Sequence, residues 1–250
     1  MKTPLFASRH AARDAGLDVA RIRAVTLDLD DTLWPIWPTI ERAEAALHAW
    51  LAEHAPATAA WGATPEVIRS VRNHIGSTRP DLAHDMSALR RESIRLMLQC
   101  AGDDTALAEP AFEVFFAERQ RVELYEDALP ALEWLGSRFP LVAVSNGNAR
   151  LDMTGGHQFF TGAISAADAG IAKPEAAIFH AAADMVSVRP EQMLHVGDNF
   201  ELDVVGARNA GLQAAWLVRQ EQGLPPRMEY ADHMTVSCLL TLCAALGRKE

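Results

Sequence analysis

The spacing of hydrophobic positions changes twice along the chain. Residues 22–29 form a short, β-branched apolar run, the pattern of a strand buried on both faces of a parallel sheet. Comparable runs recur at 140–145, 162–165, 193–196 and 213–218. Between the first two runs the period is helical. Residues 41–55 carry Ala43, Leu47, Trp50 and Leu51 on one face. Thr64 and Pro65 open a second helix as N-cap and first-turn proline. Helices at 87–100 and 106–124 follow, the latter carrying Phe112, Phe115 and Phe116. No strand is predicted from 36 to 122. Further helices are predicted at 130–138, 174–186, 202–210 and 235–246, and residues 1–21 read as a partly helical arm. Alternating strands and helices predict an α/β fold, a Rossmann-like doubly wound parallel sheet. Its core is expected to be residues 1–35 and 123–250, with an all-helical cap inserted at 36–122. There is no internal repeat.

Polar residues collect where the apolar runs stop. The first run ends in Asp28, Asp30, Asp31 and Thr32. On an extended chain Asp28 and Asp30 share a face, roughly 6–7 Å apart at about 3.3 Å per residue. That gap accepts one phosphoryl group or one metal ion. Crowded carboxylates repel, and they persist where a cation or catalysis compensates; a solvated acidic turn capping the next helix is the alternative. The second run ends in Ser145, Asn146 and Gly147; Lys173-Pro174 precedes a helix; the fourth run ends in Gly197-Asp198, with Asp203 beyond. Ligands of open α/β sheets bind at the carboxyl ends of the strands.

Composition narrows the partners. The 250 residues carry a net charge of −10 and no basic stripe, which argues against nucleic acid or an anionic membrane as a main partner. A phosphate-bearing substrate therefore needs a local cation and a metal. The only lysines are Lys2, Lys173 and Lys249. No apolar run is long enough to span a membrane, and no apolar segment near the N-terminus reads as a signal peptide. Cys100, Cys238 and Cys243 lack metal-type spacing and read as buried fillers in a reducing compartment, so the cytoplasm is the expected location. Monomer and homodimer both stay open.

These motifs together resemble the haloacid dehalogenase (HAD) superfamily of phosphotransferases. Asp28, Asp30 and Thr32 match its Asp-x-Asp-x-Thr motif, Ser145 its second, Lys173 its third, and Gly197, Asp198 and Asp203 its Gly-Asp-x-x-x-x-Asp fourth. The resemblance implies a phosphomonoester hydrolase. Asp28 would be the nucleophile, forming an aspartyl phosphate. Asp30 would act as general acid and then base. Mg²⁺ would be held by carboxylates of Asp28 and Asp198 and the backbone carbonyl of Asp30. Thr32, Ser145, the amides of Asn146 and Gly147, and Lys173 would bind the phosphorylated substrate. Asp203 would orient Lys173 or a metal-bound water from behind. Asp31 is extra to this scheme and is expected to satisfy backbone in the turn.

Asp30 argues against dehalogenation, because haloacid dehalogenases resemble this chain in fold but do not use an Asp at that position. The absence of lysine from 36–122 argues against the phosphonate-cleaving relatives. Residues 27–34, 141–149, 194–198 and 80–90 further resemble bacterial flavin-pathway phosphatases. That implies FMN or 5-amino-6-(5-phospho-D-ribitylamino)uracil as substrate, with a broad-specificity sugar-phosphate or nucleotide phosphatase as the alternative. A catalytically silent phosphate-binding module is the non-enzyme reading. Trp34 and Trp37 would either stack on a flat ring or pack the cap. His84, Asp85 and Arg90 would face the substrate or form a solvated helix start. His195 is expected to be a satisfied buried histidine, and His157 structural.

Overall fold

The computed structural model describes residues 16–62, 64–219 and 233–247, so most of the predicted arm at 1–21 lies outside the described residues. Six strands form one parallel sheet: β1 (Ala24–Leu27), β2 (Leu141–Ser145), β3 (Gly162–Ser165), β4 (Met193–Gly197), β5 (Gln213–Leu217) and β6 (Met234–Val236). Their order is β3-β2-β1-β4-β5-β6. Val25 of β1 lies opposite both Leu141 and Leu194. β1, β2 and β4 are buried at every position, which is why their apolar runs are continuous rather than alternating. The chain runs outward from β1 to β2 and β3, then crosses back to β4 on the other side. The crevice where the order reverses therefore opens at the carboxyl ends of β1 and β4.

Helices cover both faces, and the short α7 (Leu151–Thr154) and α8 (Ala166–Ala169) flank β3. One core joins Val25, Leu27, Leu141 and Val196 to α6 (Ala128–Gly136) and α11 (Leu239–Leu246). The other joins Val142, Val144 and Met193 to α9 (Ala176–Met185) and α10 (Gly206–Asn209). Full burial of one such Leu or Val side chain contributes about 1.5–3 kcal/mol. Between β1 and β2 the chain forms α1 (Ile36–His54), α2 (Pro56–Trp61), α3 (Pro65–Thr78), α4 (Met86–Ala101) and α5 (Ala108–Arg119). A third core, with Leu47, Leu51, Ile94, Leu98, Phe112 and Phe115, belongs to this helical unit alone.

The expected α/β class and parallel sheet are found, but several boundaries differ. α1 starts at Ile36, not residue 41. Pro38 falls in its first turn, where no intrahelical N–H bond is lost, and the Asp31 carboxylate accepts from the Ile36 amide. α2 was not predicted. The helix expected from residue 235 starts only at Leu239, because Met234–Val236 pairs with β5 as a sixth strand. The Asp127 carboxylate, distant in sequence, accepts from the Leu239 amide at 2.6 Å and sets that start. Residues 200–205 form a π-helical turn before α10 rather than a continuous α-helix. Of the cysteines only Cys243 is a buried filler; Cys100 is exposed.

Candidate active site

The carboxyl ends of β1, β2 and β4 bring the predicted polar residues together. Asp28 follows β1 directly, and its amide donates to the Val196 carbonyl of β4. Lys173, on the turn before α9, reaches the same point. Its Nζ donates to Asp28 Oδ1 at 2.6 Å and to Asp203 Oδ1 at 2.7 Å. All three side chains are buried. Asp203 is held from behind by two further donors. The Asn199 amide meets Oδ2 at 2.9 Å, and His195 Nε2 meets Oδ1 at 3.0 Å. The His195 Nδ1 in turn lies 2.8 Å from the Thr26 hydroxyl. These partners assign the proton to Nε2, and burial lowers the imidazole pKa, keeping the ring neutral. His195 is the satisfied buried histidine that its place inside a strand predicts.

The turn Phe200–Val205 is π-wound where Asp203 must point back at β4. A Cβ on Gly197 would lie 2.2 Å from the Asp203 side chain, so only glycine allows that approach. Lys173 is fixed by its own backbone. Asn146 Oδ1 accepts from its amide at 2.8 Å, and Asn146 Nδ2 donates to its carbonyl at 2.9 Å. This pairing withholds the Lys173 backbone from the helix, so α9 begins at Ala176 rather than at Pro174. It also occupies the Asn146 side chain, leaving its backbone amide as the group available to a ligand. The Gly147 amide donates to Ser145 Oγ at 3.0 Å. Thr32, placed among the substrate contacts by sequence, instead directs its hydroxyl to Asp198 Oδ1 at 3.3 Å.

The electrostatics are unbalanced in a specific way. Burial alone would lower the Lys173 pKa, but Asp203 and Asp28 outweigh it and hold the ammonium charged. Burial would raise Asp203, yet Lys173 and the His195 bond hold it far below the usual carboxylate range. Asp203 has the His195 bond in addition to the lysine that it shares with Asp28. Burial pushes Asp28 well above the usual range despite Lys173, with Asp203 and Asp198 adding to the rise. Asp198 is pushed up to about 7, first by burial and then by Asp203 and Asp31. One oxygen from each of Asp28, Asp198 and Asp203 lies within 4.8 Å of the others. Two carboxylates short of positive charge, with oxygen donors this close, fit a hard divalent cation. Asp203 already has partners on both oxygens.

Sequence reasoning missed two arginines. Arg119, the last residue of α5, is buried, and its Nη2 donates to both oxygens of Asp30 at 2.7 Å. The Trp34 indole also donates to Asp30, at 2.8 Å. Arg219 stacks over Tyr125 and donates to Asp127 and to the Thr32 carbonyl, bracing the loop after β1. Trp34 is therefore a core residue, whereas Trp37 is 70% exposed. Asp85 caps α4 by accepting from the Ala88 amide, and Arg90 pairs with Glu44 and stacks on Phe115. Neither has the free position expected of a substrate contact; His84 is half-buried. Beside the Ser145 turn lies a cavity of about 540 Å³, lined in part by Asn148, Met86, Phe116, His157 and Phe160.

Comparison with known proteins matches this geometry to a class. The sequence profile described as haloacid dehalogenase-like hydrolase covers residues 22–211. The chain belongs to that family. Among its relatives, the 5-amino-6-(5-phospho-D-ribitylamino)uracil phosphatase YigB of Escherichia coli is 32% identical, over 82% of this chain and 87% of its own. The glyceraldehyde 3-phosphate phosphatase of Methanopyrus kandleri is 28% identical, over 82% and 88%. A crystal structure described as 2-haloacid dehalogenase from Pseudomonas syringae superposes with a TM-score of 0.81 at 37% identity, covering 90% of this chain and 98% of that one. The named phosphatases among these relatives make the chain a phosphomonoester hydrolase of this family. No helix among the described residues is long and apolar enough to cross a membrane.

The charge imbalance has a measurable consequence. Asp28 and Asp198 have pKa values raised on folding, so their favourable contribution is present below the unfolded value of 3.8 and is lost as pH rises through the folded one, about 7 for Asp198. A cation offsets that loss only where the groups are ionised. Saturating Mg²⁺ is therefore expected to raise Tm by about 5–10 °C at pH 8, and by much less at pH 5. Equal shifts at the two pH values, read by differential scanning calorimetry against EDTA controls, would contradict the assignment.

Proposed function

We propose that the chain is a Mg²⁺-dependent phosphatase that acts on a small phosphorylated metabolite through an aspartyl phosphate on Asp28. The observation that carries this reading is the buried Asp28–Lys173–Asp203 chain, with Asp198 beside it. Asp28 is the carboxylate at the strand end that faces the crevice. Lys173 is rigidly aimed, so it can hold a phosphoryl oxygen as charge shifts without reorganising. Ser145 and the amide of Asn146 supply neutral donors on the opposite side. Asp28 and Asp198, with the Asp30 carbonyl, would hold Mg²⁺. When bound, the ion neutralises phosphoryl charge and keeps Asp28 ionised for attack. Asp203 keeps Lys173 in place. Asp30 lies between this centre and the helical unit and is the acid and base for the leaving alcohol and the hydrolytic water.

The substrate is proposed to be FMN or 5-amino-6-(5-phospho-D-ribitylamino)uracil. The YigB likeness over most of both chains supports this, as does the cavity beside Ser145 with its apolar Met86, Phe116 and Phe160. With Trp34 in the core, stacking by that residue is excluded. A cytoplasmic location accords with such metabolites.

The likeness to a protein described as a 2-haloacid dehalogenase makes halide release the second reading. Asp30 weighs against it, since a carboxylate held over the leaving-group side serves phosphoryl transfer. Incubation with FMN, the ribityl phosphate and 2-chloropropionate separates them. Mg²⁺-dependent phosphate release, abolished by EDTA, is the expected result. Chloride release without phosphate release would overturn the proposal.

A further inference from the structure

Arg119 sits where its own helix forbids a charge. The buried positions of α5 are Ala108, Ala111, Phe112, Phe115 and Arg119, the spacing of a single apolar stripe. A guanidinium on that stripe is costly unless paired. Its side chain bonds to one residue, Asp30, and both bonds come from a single nitrogen, Nη2. Its Nη1 is buried and without a partner.

A clamp between the helical unit and the sheet would explain a buried arginine, but other bonds already serve that purpose. Gln120 Nε2 donates to the Asn148 carbonyl at 3.3 Å, and Gln120 Oε1 accepts from the Arg150 amide at 2.7 Å. Arg119 adds something these do not, because it ends on the one carboxylate assigned to acid–base work. The orientation is also constrained from the far side. A Cβ on Gly147 would stand 2.4 Å from Asp30 Oδ2 and 3.4 Å from Arg119 Nη2, so the pair presses directly on the turn that follows Ser145.

We propose that Arg119 is a positioning residue for Asp30: it fixes the carboxylate against the Ser145–Gly147 turn and makes its orientation depend on where α5 rests. This rests on the phosphatase reading above. Asp30 is then set for proton transfer only while the helical unit lies against the sheet. The bond uses one nitrogen rather than a two-nitrogen fork, so a lysine ammonium can replace part of it.

The test is a double-mutant cycle between Arg119→Ala and Asp30→Asn. The first half-reaction is read by rapid quench with an alkyl phosphate and with p-nitrophenyl phosphate. Loss of a correctly placed acid is expected to slow the alkyl substrate by about 10²-fold, and p-nitrophenyl phosphate by far less. In the Asp30→Asn background the same change should have an effect of at most about twofold, since the residue it positions is already disabled. Arg119→Lys should recover part of the alkyl-phosphate rate. Should Arg119→Ala fail to fold by circular dichroism, Arg119→Gln completes the cycle with the same criteria. Equal slowing of both substrates, or an undiminished effect in the Asp30→Asn background, overturns the role of Arg119. Absence of Mg²⁺-dependent phosphate release by the wild-type protein would instead overturn the phosphatase reading itself.

Discussion

Asp28→Asn is expected to abolish turnover of every phosphorylated substrate, with a loss on the order of 10⁴–10⁶ in kcat. The amide nearly preserves the shape of the side chain but cannot act as the nucleophile. The change should not cost the fold. Burial already raises the Asp28 pKa, so a neutral side chain removes an unfavourable charge from the site. Lys173 keeps Asp203 at 2.7 Å as a counter-ion. The expected signature is an inactive protein with unchanged or raised Tm. Activity within tenfold of wild type, measured by phosphate release with the protein's folding checked, would place the nucleophile elsewhere.

Asp30→Asn is expected to divide substrates by their leaving group. Asp28 and Asp30 have the same side chain, and their surroundings separate them. Asp28 meets Lys173 and the Asp198–Asp203 cluster. Asp30 meets none of these; its side-chain partners are Trp34 and Arg119, the last residue of α5. On the proposed mechanism it is the carboxylate that serves the leaving oxygen. An alkyl alkoxide needs a proton, so its departure should slow by about 10²–10⁴. p-Nitrophenolate needs little help, and its release should survive in part. Dephosphorylation also loses its base, so phosphoenzyme should accumulate with p-nitrophenyl phosphate. A rapid-quench burst in Asp30→Asn with that substrate is the readout; equal slowing of both leaving groups would contradict the division of labour.

The parts of this account that could be read from the sequence are those whose cause is local. β1, β2 and β4 are continuous apolar runs because both faces are covered, and a run of that kind is visible without neighbours. The acidic strand ends stand out for the same reason. What stayed hidden depends on residues far along the chain. β6 is a three-residue strand whose pairing partner is β5, and the start of α11 is set by Asp127, more than a hundred residues earlier. The π-wound turn at Phe200–Val205 carries Asp203 against Gly197 and onto Lys173, contacts that the local sequence does not show. The turn itself points to the backbone amide of Asn146 as a phosphate contact; only the fold reveals that its side chain is taken up by the Lys173 backbone. Arg119 did leave a sign. It falls in register with Phe112 and Phe115 on the apolar stripe of α5, and a charged residue at such a position asks for a buried partner.

The most direct test of the central claim is to trap the intermediate. Wild-type protein is mixed with radiolabelled p-nitrophenyl phosphate and Mg²⁺, quenched in acid within milliseconds, and digested for peptide mapping. Label is expected on the peptide that contains Asp28, released by hydroxylamine as an acyl phosphate is, and absent from Asp28→Asn. Rapid turnover with no trapped label, or label on any other residue, would contradict the assignment of Asp28 as the nucleophile.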